Sequence, residues 1–173
     1  MRGFDIRGIG PRVRRTPFDG SGVLTTADAT ESDALGGRAY YMGRAEIEFP
    51  LSSKLRSFGL RPSAFVDIGS VWNLTTPKLN NILAFCTPLA ANTTGVPREV
   101  LPGDQPCDTN LFASTPGYQE TFIANSPKPR LSVGIGVNWI SPFGPLRLDL
   151  AKALLKQDGD ATKLFSFNVG TQF

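Results

Sequence analysis

Hydrophobic and polar positions alternate most regularly over the final third of the chain, from Arg130 to Phe173. In the segment Leu131 to Ile140, Leu131, Val133, Ile135, Val137 and Trp139 fall on one face and Ser132, Gly134, Gly136 and Asn138 on the other. A period of two is the signature of a β-strand. The turn SPFGP leads to a second alternating segment, Leu146 to Leu154, with Leu146, Leu148 and Leu150 outward and Arg147, Asp149 and Ala151 inward. After the hydrophilic stretch KQDGDATK, a third runs from Leu164 to Phe173, with Phe165, Phe167, Val169, Thr171 and Phe173 on one face. The three predict an antiparallel meander. Its apolar face is continuous and ends in aromatics, while its other face is too small and polar for a soluble core. That combination suits a transmembrane barrel with lipid outside and a polar lumen.

Two further strands are expected upstream. Gly36 to Leu51 places Arg38, Tyr40, Met42, Arg44, Glu46 and Glu48 together, and a face so charged needs water or counter-charges. Leu60 to Trp72 carries Asp67 within an otherwise apolar run, on the face of Phe65 and Gly69. That carboxylate requires a cation, and Arg44 on the neighbouring strand is one candidate. Residues 1–35 read as a loop-like arm, with Gly3, Gly8, Gly10 and Pro11 among charges and a Thr/Asp/Ser-rich tract after Thr25. Residues 73–130 read as a long irregular region, within which Ile82 to Phe85 is expected as a short helix or packed loop. Cys86 and Cys107 lie in that region. Two thiols are too few for structural zinc and wrongly spaced for a redox motif, so a loop disulfide is expected, with buried free thiols as the alternative.

Composition narrows the chemistry. The 173 residues contain no His, which removes imidazole acid–base catalysis and His-ligated metals, and no stretch of about 20 apolar residues is present. Asp158 and Asp160 frame a glycine but lack the closing Glu of a calcium loop. Neither a catalytic residue, a metal nor a cofactor is expected. The net charge of +3 is spread along the chain apart from Arg12, Arg14 and Arg15, which argues against nucleic acid as a partner. The opening MRGFDIRGIGPRVRR has no apolar leader-like core, so either the membrane reading fails or the chain is the C-terminal piece of something longer.

An ordered set of motifs resembles the C-terminal part of the outer-membrane β-barrel assembly factors of the bacterial surface-antigen superfamily. The set is RGF at Arg2 to Phe4, IGP at Ile9 to Pro11, Gly36-Gly37 opening a strand with Glu46, FVDIGSVW at Phe65 to Trp72, WISPFGPLRLDLAKAL at Trp139 to Leu154, and a terminal F-x-F-x-x-G-x-x-F. Met1 stands where the family usually has Val or Ile. The resemblance implies an all-β chain forming about five strands of a sixteen-stranded barrel in the bacterial outer membrane. It implies a lumen-inserting loop over 1–35, two strands over 36–72, a long extracellular loop over 73–130 and three closing strands over 131–173. Carried over, Arg2, Gly3 and Phe4 form a tip folded into the lumen, where Arg2 meets Asp67 of the Asp67-x-Gly69 motif near Glu46. Phe165, Phe167, Gly170 and Phe173 become the assembly signal and seam strand, although Gly170 also reads as an ordinary strand glycine.

The implied activity is insertion of β-barrel proteins into the outer membrane. Its partners are outer-membrane lipid, unfolded outer-membrane client proteins, and assembly-complex lipoproteins reached through N-terminal domains outside this chain. Five strands cannot close a membrane barrel, so the chain is expected to be one piece of a larger one. Two other readings stand beside this one, a translocation or secretion pore of the same superfamily and a soluble β-sheet binding module.

Overall fold

In the computed structural model, residues 1–19, 23–25, 30–50, 58–89, 95–141 and 144–169 are described. The chain divides into two units, Met1–Pro11 with Ala34–Leu74 and Ala124–Phe173, and Arg12–Asp33 with Thr75–Ile123. Ten strands are present among the described residues, and each unit is built on one five-stranded sheet.

In the first unit, β3 (Ala39–Glu48), β4 (Leu60–Trp72), β8 (Arg130–Ser141), β9 (Gly144–Leu155) and β10 (Phe165–Val169) pair in the order β10-β9-β8-β4-β3. Every pairing is antiparallel. These are the five strands expected from the alternating segments. The register stacks like with like. Ile47, Ala64, Ile135, Leu150 and Phe165 form one row across all five strands, and Pro62, Val137, Leu148 and Phe167 form the next. Both rows lie on the outer face, where Ile135 is 60% exposed and Ile47 68%. Tyr41 and Trp72 meet edge to face near one end of this face, with ring centroids 5.6 Å apart. Trp139 lies near the other end, its indole N–H donating to the Phe58 carbonyl at 3.1 Å.

Rows of opposite character cover the inner face. Arg44, Asp67 and Ser132 stand side by side, then Glu46, Phe65, Gly134 and Ala151, then Glu48, Ser63, Gly136, Asp149 and Ser166. Asp67, Ser132, Ser63 and Asp149 are almost completely buried. Much of the burial in this sheet is therefore of polar groups, which is stable only where each finds a partner.

The second unit corrects three expectations. The arm over 1–35 is not loop throughout, because β1 (Arg12–Pro17) and β2 (Glu31–Ala34) are strands. Nor is 73–130 irregular, since it contains β5 (Asn81–Pro88), β6 (Arg98–Val100) and β7 (Phe112–Ile123). Ile82 to Phe85, expected as helix or packed loop, belongs to β5. The sheet order is β2-β1-β7-β5-β6. β1 pairs with β7 across about a hundred residues of sequence, Arg15 opposite Glu120, so nothing local announces the pairing. β7 also carries Pro116 and Gly117, residue types that weaken a strand interior. Parts of the turns expected after Pro50 and at SPFGP, and of the tract after Thr25, lie outside the described residues.

Candidate functional site

The inner face of the first sheet holds a connected group of charges around Arg2. Residues Met1–Pro11 belong to the same unit as the sheet, and Gly3 takes a positive φ of 82°, which its missing side chain permits. A Cβ on Gly3 would sit 2.9 Å from that of Ser132, so this turn lies directly on β8. The Ser132 hydroxyl donates to the Arg2 carbonyl at 2.6 Å. Phe4 is buried and bridges to Thr162.

The Arg2 guanidinium engages three side chains. Its Nε and Nη2 donate to the two oxygens of Asp67 at 3.0 and 2.6 Å, the two-pronged geometry that makes Arg–carboxylate pairs strong. The Arg2 backbone N–H donates to the same carboxylate at 3.1 Å. Nη1 donates to Glu46 at 2.8 Å, and the plane lies over the Phe65 ring with Cζ 3.4 Å from the centroid. Both cations that charge reasoning and resemblance named for Asp67 reach it. Arg44 approaches to 3.4 Å from a half-exposed side chain, whereas Arg2 binds closer and almost fully enclosed. Asp67 itself is 0% exposed, so its charge depends on these contacts.

The group extends beyond the residues singled out in sequence. Glu46 also accepts from the Ser63 hydroxyl at 2.6 Å and from Arg147 at 2.8 Å. Arg147 Nε lies 3.0 Å from both oxygens of Asp149, and its Nη1 donates to Asn138 at 3.2 Å. A Cβ at Gly136 would collide with the Asp149 carboxylate, so the bare glycine makes room for that pair. Charge thus runs Asp149, Arg147, Glu46, Arg2, Asp67, Arg44 across β9, β3 and β4, alternating in sign. Arg147 and Asp149 were legible as inward-facing charges. Their link to Glu46 was not, because it spans 101 residues of sequence.

Gly69, the other motif residue, lies opposite Met42 on β3 and Arg130 on β8. Phe165 and Phe167 lie on β10, exposed beside Leu150 and Leu148, while Gly170 and Phe173 fall outside the described residues. In the second unit Cys86 is bonded to Cys107 with Cα atoms 5.6 Å apart, and Arg98 donates to the carbonyls of Gln105 and Pro106 just before Cys107. No cluster of three or more potential metal ligands occurs among the described residues. The arrangement offers a tip pinned by ion pairs on a charged face.

Comparison with known proteins gives a consistent likeness. The family model described as "Omp85 superfamily domain" matches residues 1–173. Outer membrane protein assembly factor BamA of Neorickettsia risticii (strain Illinois) is 28% identical over 175 residues, covering 100% of this chain and 16% of that protein. BamA of Neisseria meningitidis serogroup B is 27% identical, again over 100% of this chain and 17% of its own length. The chain therefore spans about one sixth of these relatives. The crystal structure of BamA from Haemophilus ducreyi lacking POTRA domains 1–3 shares the fold, with a TM-score of 0.53 at 24% identity over 96% of this chain and 24% of that one.

Proposed function

From the premise that this chain belongs to the Omp85 superfamily, we propose that it supplies the closing strands of an outer-membrane barrel that folds and inserts other β-barrel proteins. The observation that carries this reading is the Arg2 tip, clasped to Asp67 and Glu46 on the charged face of a sheet whose other face is apolar. Such a sheet suits hydrocarbon on one side and a polar lumen on the other. From Leu60, opposite Trp139, to Trp72 the chain advances roughly 40 Å at a strand's rise per residue. Tilted as barrel strands are, that corresponds to roughly 30 Å of membrane thickness, close to the apolar band between aromatic girdles.

In this reading no bond is made or broken. The residues hold shape. Arg2 fixes the tip within the lumen, Glu46 and Arg147 connect it to β9, and β10 is the seam strand whose free edge receives a client strand. Phe173, with Phe165 and Phe167, serves as the assembly signal. The longer connections, 73–129 and 156–164, face outside the cell, where long loops belong. Unfolded outer-membrane proteins are the clients, outer-membrane lipid is the solvent, and assembly lipoproteins dock on domains outside this chain.

The test is charge exchange in the full-length protein. Arg2→Glu is expected to reduce client assembly at least tenfold, with partial recovery when combined with Asp67→Arg. Wild-type assembly by both single variants would refute the role given to the pair.

A further inference from the structure

A second buried ion pair lies outside the Arg2 group. Arg130, at the start of β8, and Asp160, in the nine-residue connection between β9 and β10, are both 0% exposed at their side chains. Arg130 Nε and Nη2 donate to the two Asp160 oxygens at 3.0 and 3.3 Å. The other face of the guanidinium fork is filled, with Nη1 donating to Ser70 at 2.8 Å and to the carbonyls of Ser126 and Lys128 at 3.0 and 3.2 Å. Asp160 in turn accepts the backbone N–H of Gln157 at 2.6 Å, and its own N–H donates to the Gln157 carbonyl at 3.1 Å. One carboxylate therefore closes the turn of the connection and ties that turn to β8.

The residues just after Asp160 grip the Arg2 tip. Asp5 N–H donates to the Ala161 carbonyl at 3.0 Å, Ala161 N–H to Gly8 at 2.8 Å, and Lys163 N–H to Gly3 at 3.2 Å, with Phe4 opposite Thr162. The tip is thus held twice. Side chains from the strands bind its guanidinium, and a short β-like strap from the β9–β10 connection binds its backbone. β10 begins at Phe165, two residues beyond the strap.

We propose that Arg130 and Asp160 are positioning residues for the tip. Their pair sets the 157–163 segment as a receiving strand for residues 3–8, and so fastens the tip to the hairpin that carries β10. β8 contributes to both grips, through Arg130 to the strap and through Ser132 to the Arg2 carbonyl. The proposal deepens the assembly reading by making the seam hairpin and the lumen tip move as one body. A shift of β10 then strains the tip, and release of the tip loosens the hairpin.

The experiment uses the full-length protein in the outer membrane, with Phe4→Cys and Thr162→Cys introduced together. Oxidative cross-linking between positions 4 and 162 is identified by peptide mass mapping, which separates it from the Cys86–Cys107 bond. Barrel folding is followed independently by heat-modifiable electrophoretic mobility. Asp160→Asn is expected to lower the cross-link yield at least fivefold while the folded mobility is kept. Wild-type yield in folded Asp160→Asn protein overturns the proposal, whatever client assembly does. If Asp160→Asn fails to fold, Arg130→Lys decides, since it keeps the charge and loses the fork. A clear fall in yield supports the latch, and an unchanged yield overturns it. Loss of the cross-link with client assembly intact upholds the latch and counts instead against the assembly reading.

Discussion

The two sheets solve opposite problems with the same strand chemistry. In the first, apolar side chains such as Ile47, Ile135 and Phe167 stand exposed on the outer face while Asp67, Ser132 and Asp149 are enclosed on the inner one. In the second, Val13, Ile82, Val100 and Cys86 are buried and a disulfide joins β5 to the segment after β6. The first sheet is ordered for lipid and held by ion pairs. The second is held by a small apolar core, a covalent staple and the Arg15–Glu120 pair. Each sheet should therefore fail under a different insult.

The largest effect is expected where the contrast is sharpest. Asp67→Ala removes the enclosed carboxylate that Arg2 and Arg44 share and leaves Arg2 with Glu46 alone, and removing one partner of a buried pair costs about 3–5 kcal/mol. Denaturant unfolding of the lipid-reconstituted full-length protein should show that loss, with the Cys86–Cys107 region still resistant to protease. Cys86→Ser is the reciprocal cut. A cross-link over 21 residues contributes about 3 kcal/mol, so limited proteolysis should open residues 75–123 while the barrel keeps its heat-modifiable mobility.

A smaller effect is expected on the outer face. Ile135→Arg puts a charge near the middle of the lipid-facing row at a cost of about 2 kcal/mol, the low end for midplane sites because the long side chain can reach toward the interface. Urea titration of the protein folded in vesicles would read it, and Leu83→Arg, at an exposed position of the second sheet, should be nearly neutral.

The smallest effect concerns acid. In the second sheet Glu120 sits below the usual carboxylate range, first because Arg15 donates to it at 2.8 Å and then because the Asn80 N–H donates at 2.9 Å. With the folded-state value depressed, its contribution is complete above the unfolded value near 4.3 and is lost as pH falls through the lower folded value. Acid titration of protease resistance over 75–123 should therefore steepen below about pH 4.3, and Glu120→Gln should flatten that step.

Legibility in sequence followed the same division. The first sheet was readable strand by strand because a lipid-facing row and a polar row force strict alternation, as from Leu131 to Trp139. Asp67 could be picked out as a charge in an apolar run, and the RGF resemblance placed Arg2 beside it. The second sheet hid because its strands are short or half exposed, β7 is interrupted by Pro116 and Gly117, and β1 finds its partner about a hundred residues away. Arg130 opens β8 and Asp160 lies within the β9–β10 connection, where no periodicity speaks. Their pairing follows from the fold of two connections that sequence alone leaves open.

The central claim is that the first sheet is inside out relative to a soluble one, lipid on the apolar face and the charged tip on the other. Site-directed spin labelling of the full-length protein in lipid vesicles tests it most directly, with single labels at Ile47, Val66, Ile135 and Leu150 on one face and Arg44, Glu48, Arg61 and Asn138 on the other. Labels of the first group should relax faster with oxygen, which concentrates in hydrocarbon, and those of the second with a water-soluble nickel chelate. Equal response of both groups to the nickel chelate would contradict the account.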